Sequence, residues 1–286
     1  MPVPRLFEAS SDPREQWVHV LATLLALGGP ETRTALVEEI SGEALPDADA
    51  LVVFERRPLD ADVTADIVAR GAGWTFAVQA SLAFDGREEE RIAATFDALN
   101  EVYDKCIVIA VTPDRRPPEA LAALAAGGRD VRHRSWLRVR DWVQERPERG
   151  RAEGTDLMLL REAEYFLTPR VAELYRLEGL MPMIDPGLRA SLAGMFFDLN
   201  ELAPAPLIQN EAGAARVAFP RTGDAQVEIG VGGTGLTLTV AGAEAGPGYE
   251  SIEGGRQRLT VADASDYQAG RAWTQSRARS LLPARR

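Results

Sequence analysis

The chain has 286 residues, 45 % of them hydrophobic and 26 % charged. That is enough apolar surface to bury a core, and it excludes disorder throughout. The 43 acids outnumber the 32 bases for a net charge of −11, so the broad basic field of a non-specific nucleic-acid binder is absent.

Three further exclusions follow from the residues themselves. No run of about 18 uncharged apolar residues suggests a spanning helix. The first residues, MPVPRLFEASSDPREQ, lack the apolar stretch of a secretory signal. A single cysteine, Cys106, leaves no partner for an intramolecular disulfide and no multi-cysteine zinc site. The expectation is a cytoplasmic protein that neither spans nor lies on a membrane. Lys105 is the only lysine, so chemistry that needs a lysine has one candidate.

In chain order, Asp12, Pro13 and Glu15 read as N-cap, first helical residue and capping-box partner of a helix over 13–28. Its face carries Trp17, Leu21, Leu24 and Leu25, and Gly28-Gly29-Pro30 ends it. A shorter helical stretch covers 31–41. The period then changes to that of strands at 51–55, 63–69 and 74–82. The Gly71-Ala72-Gly73 link makes the second and third of these a hairpin. A helix over 87–103 presents Ile92, Phe96, Leu99 and Tyr103 on one face. Residues 106–111 are continuously apolar, as in a strand covered on both sides. Helix 117–126, a short extended piece and a helix around Trp136 and Trp142 complete this region. Trp17, Phe76, Val78, Ile107 and Ile109 are the expected core.

The charged, Pro- and Gly-containing stretch 145–154 reads as a domain boundary, giving domains 1–147 and 148–286. The second has helices at 155–179 and 186–201, strands at 214–220, 225–231 and 235–241, and a terminal helix near 264–282 with a basic tail. Gly230-Val231-Gly232-Gly233-Thr234-Gly235 has the spacing of a dinucleotide-binding loop. A strand pattern follows it where that motif requires a helix, so it reads as a hairpin turn. His19 and His133 do not suggest a shared site. The arginines at 129, 132, 134, 138 and 140 read as a solvated charged face, with a phosphate-binding face as the alternative.

The order helix, helix, strand, two-stranded hairpin, helix, buried strand carries a distinctive set of polar residues. Glu15 lies early in the first helix, Asp66 inside an apolar strand, and Gln79-Ala80-Ser81 at the end of the next. On these residues, 13–143 resembles the PD-(D/E)XK nuclease superfamily, the restriction-endonuclease-like fold. The resemblance implies an α/β domain with a mixed sheet flanked by helices, followed here by a helical and antiparallel-β region. It also implies Mg²⁺ held by an acid of the first helix, an aspartate of the second strand and a Glu-x-Lys of the third. Glu15 and Asp66 fall at the first two places. Gln79 stands for the glutamate and Ser81 for the lysine, which removes one negative and one positive charge. Arg70, Arg87, Arg91 or Lys105 would have to replace the lysine, and Arg91 is the preferred substitute because the resemblance places its helix beside the third strand; an arginine, though a poor general base, can stabilise a phosphate transition state.

The candidate site is therefore Glu15, Asp66, Gln79, Ser81 and Arg91, with Glu15, Asp66 and Gln79 as metal ligands and Mg²⁺ as cofactor if the site is active. The leading expectation is a nuclease-like protein with a degenerate site, acting as an interaction module in a nucleic-acid-related system such as defence. Its partners would be DNA, RNA, or a protein bound through the C-terminal region. The alternatives are an active Mg²⁺-dependent nuclease and an adaptor that never meets nucleic acid.

Overall fold

The computed structural model describes residues 7, 13–82, 86–148, 152–177, 179–185, 188–202, 206–211, 214–219, 226–232, 235–242, 244–262 and 264–282. The expected cap Asp12 lies outside them. The chain divides into two compact units, Met1–Tyr175 and Arg176–Arg286.

The first unit begins with helices α1 (Pro13–Leu27) and α2 (Pro30–Ser41). Strands β1 (Val52–Pro58), β2 (Thr64–Gly71) and β3 (Trp74–Ala80) follow as an antiparallel meander. Helix α3 (Gly86–Asn100) then crosses to β4 (Cys106–Thr112), and α4 (Glu119–Ala126) to β5 (Val131–Ser135), both parallel to β3. The sheet runs in the order β1-β2-β3-β4-β5. The unit closes with α5 (Trp136–Glu148) and α6 (Gly154–Arg176). Among the described residues no helix is long and apolar enough to cross a membrane.

Each local expectation has a visible cause. The β2–β3 hairpin turns on Ala72-Gly73, where Gly73 takes φ +74, a conformation open to glycine. At Gly71 a Cβ would come within 2.4 Å of the Trp74 ring, so only glycine allows the indole to fold back there. Strands β3 and β4 are buried along their whole length, which is why 106–111 in β4 reads as an unbroken apolar run. Alternation divides them between two faces. Val68, Ala77, Val108 and Ala110 pack with Ile92 and Leu99 of α3 and Leu121 of α4. Phe76 and Val78 pair with Ile107 and Ile109 and point the other way. All four are core, as expected, and so is Trp17, whose ring meets Trp136 edge-on at 4.7 Å.

The boundary read at 148 falls ahead of α6, whereas the compact units divide at 175/176. Helix α6 belongs with the first unit for two reasons. Phe166 packs edge-on to Phe7 and Trp17, each at 6.1 Å. Asp156 accepts hydrogen bonds from the Gly29 N–H at 2.7 Å and the Thr32 hydroxyl at 2.6 Å, supplying the cap that the α2 N-terminus lacks locally.

In the second unit, α7 (Arg189–Leu202) precedes a six-stranded antiparallel sheet, β10-β11-β9-β8-β7-β6. Its strands are β6 (Leu207–Glu211), β7 (Ala214–Phe219), β8 (Val227–Gly232), β9 (Gly235–Ala241), β10 (Glu250–Ile252) and β11 (Arg256–Val261). The sequence reading missed β6, β10 and β11. Helix α8 (Ala264–Leu281) packs on β11 and is tied to α7 through Asp198, which takes the Tyr267 hydroxyl at 2.5 Å and Arg271 at 2.7 and 2.9 Å. Burial and the neighbouring Asp198 push the Tyr267 phenol up. The glycine motif lies on β8 and β9, an antiparallel pair closing at Gly232 opposite Gly235, and no helix follows it. Its Gly233-Thr234 lies outside the described residues.

Candidate functional site

The sheet of the first unit loosens around Asp66. The β2–β3 ladder runs from Gly71↔Trp74 only as far as Ile67↔Val78. Beyond that point, side chains replace the missing backbone bonds. Asp66 Oδ2 accepts the Ala80 N–H at 2.8 Å, and Gln79 Nε2 donates to the Thr64 carbonyl at 3.2 Å. The β1–β2 register is interrupted at the same level. Glu55 faces Ile67 and Arg57 faces Ala65, so Arg56 stands opposite Asp66 without ladder pairing, at φ +52. That conformation costs a non-glycine residue of order 1 kcal/mol and is held here by its surroundings.

Three elements converge on the opening. Arg14, in the first turn of α1, donates through Nη2 to Asp66 Oδ1 at 2.7 Å and Oδ2 at 2.6 Å, and through Nε to the Ala80 carbonyl at 2.9 Å. Arg91 of α3 reaches the same carbonyl through Nη2 at 3.3 Å, and that nitrogen also lies 3.6 Å from Asp66 Oδ2 and 2.6 Å from Glu88 Oε2. Burial lowers the Arg91 pKa and Arg14 adds to this, against the opposing pull of Asp66 and Glu88. A cavity of about 530 Å³ lies over these groups, lined by Arg14, Arg56, Asp66, Arg87, Arg91 and others.

Asp66, Gln79 and Arg91 each make hydrogen bonds or ion pairs within this part of the protein. Asp66 is 6 % exposed with both oxygens in use. Gln79 is 1 % exposed, and its orientation follows from its neighbours. Thr95 gives its proton to the Arg91 carbonyl, so it can only accept from Gln79 Nε2, at 2.6 Å. Gln79 Oε1 is left buried with no hydrogen-bond partner among the described residues. Glu15 lies at the rim, its carboxylate 2.5 Å from Arg56. Ser81 links strands and helix through its backbone, donating to Val111 O and accepting from the Trp136 indole at 2.8 Å.

Of the candidates to replace the missing lysine, Arg87 and Arg91 line the cavity. Arg70 instead stacks over Tyr103, and Lys105 lines a different pocket at the start of β4. The sequence reading missed Arg14 and Arg56. Arg14 was legible only as the neighbour of Glu15.

A divalent metal does not fit this donor set. Mg²⁺ takes six oxygens in near-octahedral array, keeping several waters and binding the protein through one or two free carboxylates. Here the one buried carboxylate is bonded to a guanidinium, the second acid is bonded to Arg56, and the glutamine turns its amide nitrogen toward its neighbours. Among the described residues no group of three acids, histidines or cysteines could hold a metal ion.

Other polar clusters are internally matched. Thr112 bonds to Asp114 at 2.8 Å and to His133 at 3.0 Å. Arg129 pairs with Asp97, Arg132 with Asp130 and Glu43, Arg138 with Glu39 and Arg140 with Asp141, while Arg134 donates to the Glu39 carbonyl. That arginine face is thus spent largely on the protein's own acids. Burial, and then Asp130, push the Cys106 thiol up, as suits a packed thiol.

Comparison of the chain with protein-family models, curated proteins and solved structures finds no match.

Proposed function

We propose that the first unit is a restriction-endonuclease-like module whose site has been given over to internal ion pairing. The protein then works as an interaction module in a nucleic-acid-related system, and it does not act as a nuclease. The strand order supports the fold reading: a three-stranded meander, then two parallel strands reached through α3 and α4, with Asp66 and Gln79 on adjacent strands. A role in defence is an analogy drawn from the superfamily.

One observation carries the functional reading: Arg14 grips both carboxylate oxygens of Asp66. Removing it would leave a buried acid uncompensated, so the pair resists exchange for a metal. The net charge of −11 favours protein contacts over an extended phosphate backbone.

The test is an endpoint assay of purified wild type and Asp66→Ala on single- and double-stranded DNA and on RNA, with Mg²⁺ and with Mn²⁺. No cleavage by either protein is expected. Wild-type cleavage that vanishes in Asp66→Ala would replace this reading with an active metal-dependent nuclease.

A further inference from the structure

We propose that the exposed face of α6, with the end of α1 beside it, is the surface on which a second copy of this chain docks. The proposal rests on that surface and needs neither the fold-family nor the functional reading.

Large apolar side chains exposed among the described residues gather there. Leu27 is 63 % exposed, Leu157 36 %, Met158 69 % and Tyr165 52 %. Asp156 accepts the Gly29 N–H at 2.7 Å, which sets the first turn of α6 against the end of α1, two residues past Leu27. Met158 and Tyr165 are seven residues apart, two turns along one helix face. Single exposed apolar groups are ordinary on a protein surface, whereas a contiguous set marks a contact surface. The other side of α6 buries Leu159, Leu160, Ala163, Phe166 and Leu167, so the helix is anchored without the exposed row.

The charges on this face are self-complementary. Arg161 and Glu162 lie between Met158 and Tyr165, one on each flank of the row. Both are exposed, and Arg161 is held within the helix only by Glu164, at 2.6 Å. A twofold axis running along α6 sets two copies of the helix parallel. Met158 then meets the partner's Met158, and Tyr165 the partner's Tyr165. Arg161 faces the partner's Glu162, and the symmetry repeats that pair. A twofold across the helices at the same level would instead face like charges, because each flank stays on its own side. The net charge of −11 opposes chance self-association, so a contact between copies needs charges matched in this way. One helix row with Leu27 beside it makes a small interface, below roughly 1,200 Å², which sets the expected dissociation constant at about 10–100 µM.

The experiment is sedimentation equilibrium of the full chain from about 5 to about 500 µM, a range that brackets this constant. Wild type is expected to pass from monomer to dimer. Met158→Asp should weaken the dimer at least about tenfold, since it sets two carboxylates into the apolar row. Arg161→Glu and Glu162→Arg should each weaken it about tenfold, because each places like charges together twice. Arg161→Glu/Glu162→Arg restores opposite charges and should recover wild-type affinity to within about threefold. All four changes lie on an exposed face, and melting temperature checks that each variant is folded.

Wild type that stays monomeric throughout overturns the proposal, including the case in which a different protein covers this face. So does a dimer that Met158→Asp leaves intact, which would form through another surface. A double variant no tighter than the single reversals refutes the parallel pairing and with it the docking of a second copy here. Wild type that dimerises as expected yet cleaves DNA would refute the functional reading and leave this one standing. Inert, monomeric wild type would do the reverse.

Discussion

Gln79→Glu supplies the carboxylate that the PD-(D/E)XK resemblance implies at this position, and we expect it to harm the protein. Gln79 is 1 % exposed and donates twice through Nε2, to the Thr64 carbonyl at 3.2 Å and to Thr95 Oγ1 at 2.6 Å. An ionised glutamate donates nothing. It would set an anionic oxygen against the Thr64 carbonyl, and Thr95 could turn its proton to the new acid only by abandoning the Arg91 carbonyl at 2.8 Å. Each buried polar group left unpaired costs about 1–3 kcal/mol, and burying the charge adds to this.

The expected loss is about 4 kcal/mol at pH 8. A protonated glutamate recovers one donor, so the loss should shrink to about 1–2 kcal/mol near pH 5. The sign follows from linkage: burial raises the folded-state pKa of such an acid, so the folded variant holds its proton after the unfolded chain has lost it, and stability falls as pH rises. Urea unfolding at both pH values, followed by tryptophan fluorescence, measures this. Four of the five tryptophans, Trp17, Trp74, Trp136 and Trp142, lie in the first unit. A Gln79→Glu variant as stable as wild type at pH 8, or one that gains stability as pH rises, would refute the assigned amide orientation and with it the structural role of Gln79.

Two further outcomes can be measured the same way. Phe76→Ala removes a fully buried ring from the centre of the sheet and should cost about 3–5 kcal/mol, whereas a loss below about 1 kcal/mol would mean the face assignment is wrong. Burial, reinforced by Arg134 and opposed by Asp114, holds His133 below its ordinary value of 6.5. The unfolded chain therefore takes up this proton first as pH falls below 6.5, and stability declines with acidification through that window. His133→Gln should flatten the decline between pH 7 and pH 5, and an unchanged slope would assign the effect to other groups.

Much of the first unit was legible in the sequence because its elements obey local rules. Strand β4 is apolar throughout because it is covered on both faces, and the β2–β3 hairpin announces itself through Gly71 and Gly73. The order of elements brought Asp66 and Gln79 to adjacent strands, a relation that follows from a short turn. Strand β11 alternates buried and exposed residues along RQRLTV and was legible in principle, but its polar members hid it. Strand β10 is three residues long, too short for periodicity to register.

The tertiary structure alone decided what those residues do. Arg14 and Asp66 are 52 positions apart, and no local pattern links them. On a helix, Arg14 and Glu15 point about 100° apart. That angle sends Arg14 to the buried carboxylate and Glu15 to the exposed Arg56. The same limit hid the attachment of α6, because Asp156 caps a helix that begins more than a hundred residues earlier. Propensity and period are properties of neighbours in the chain. Which charge meets which is settled by the geometry of packing, and here it paired Asp66 and Glu15, two of the metal ligands that the family resemblance implied, with Arg14 and Arg56.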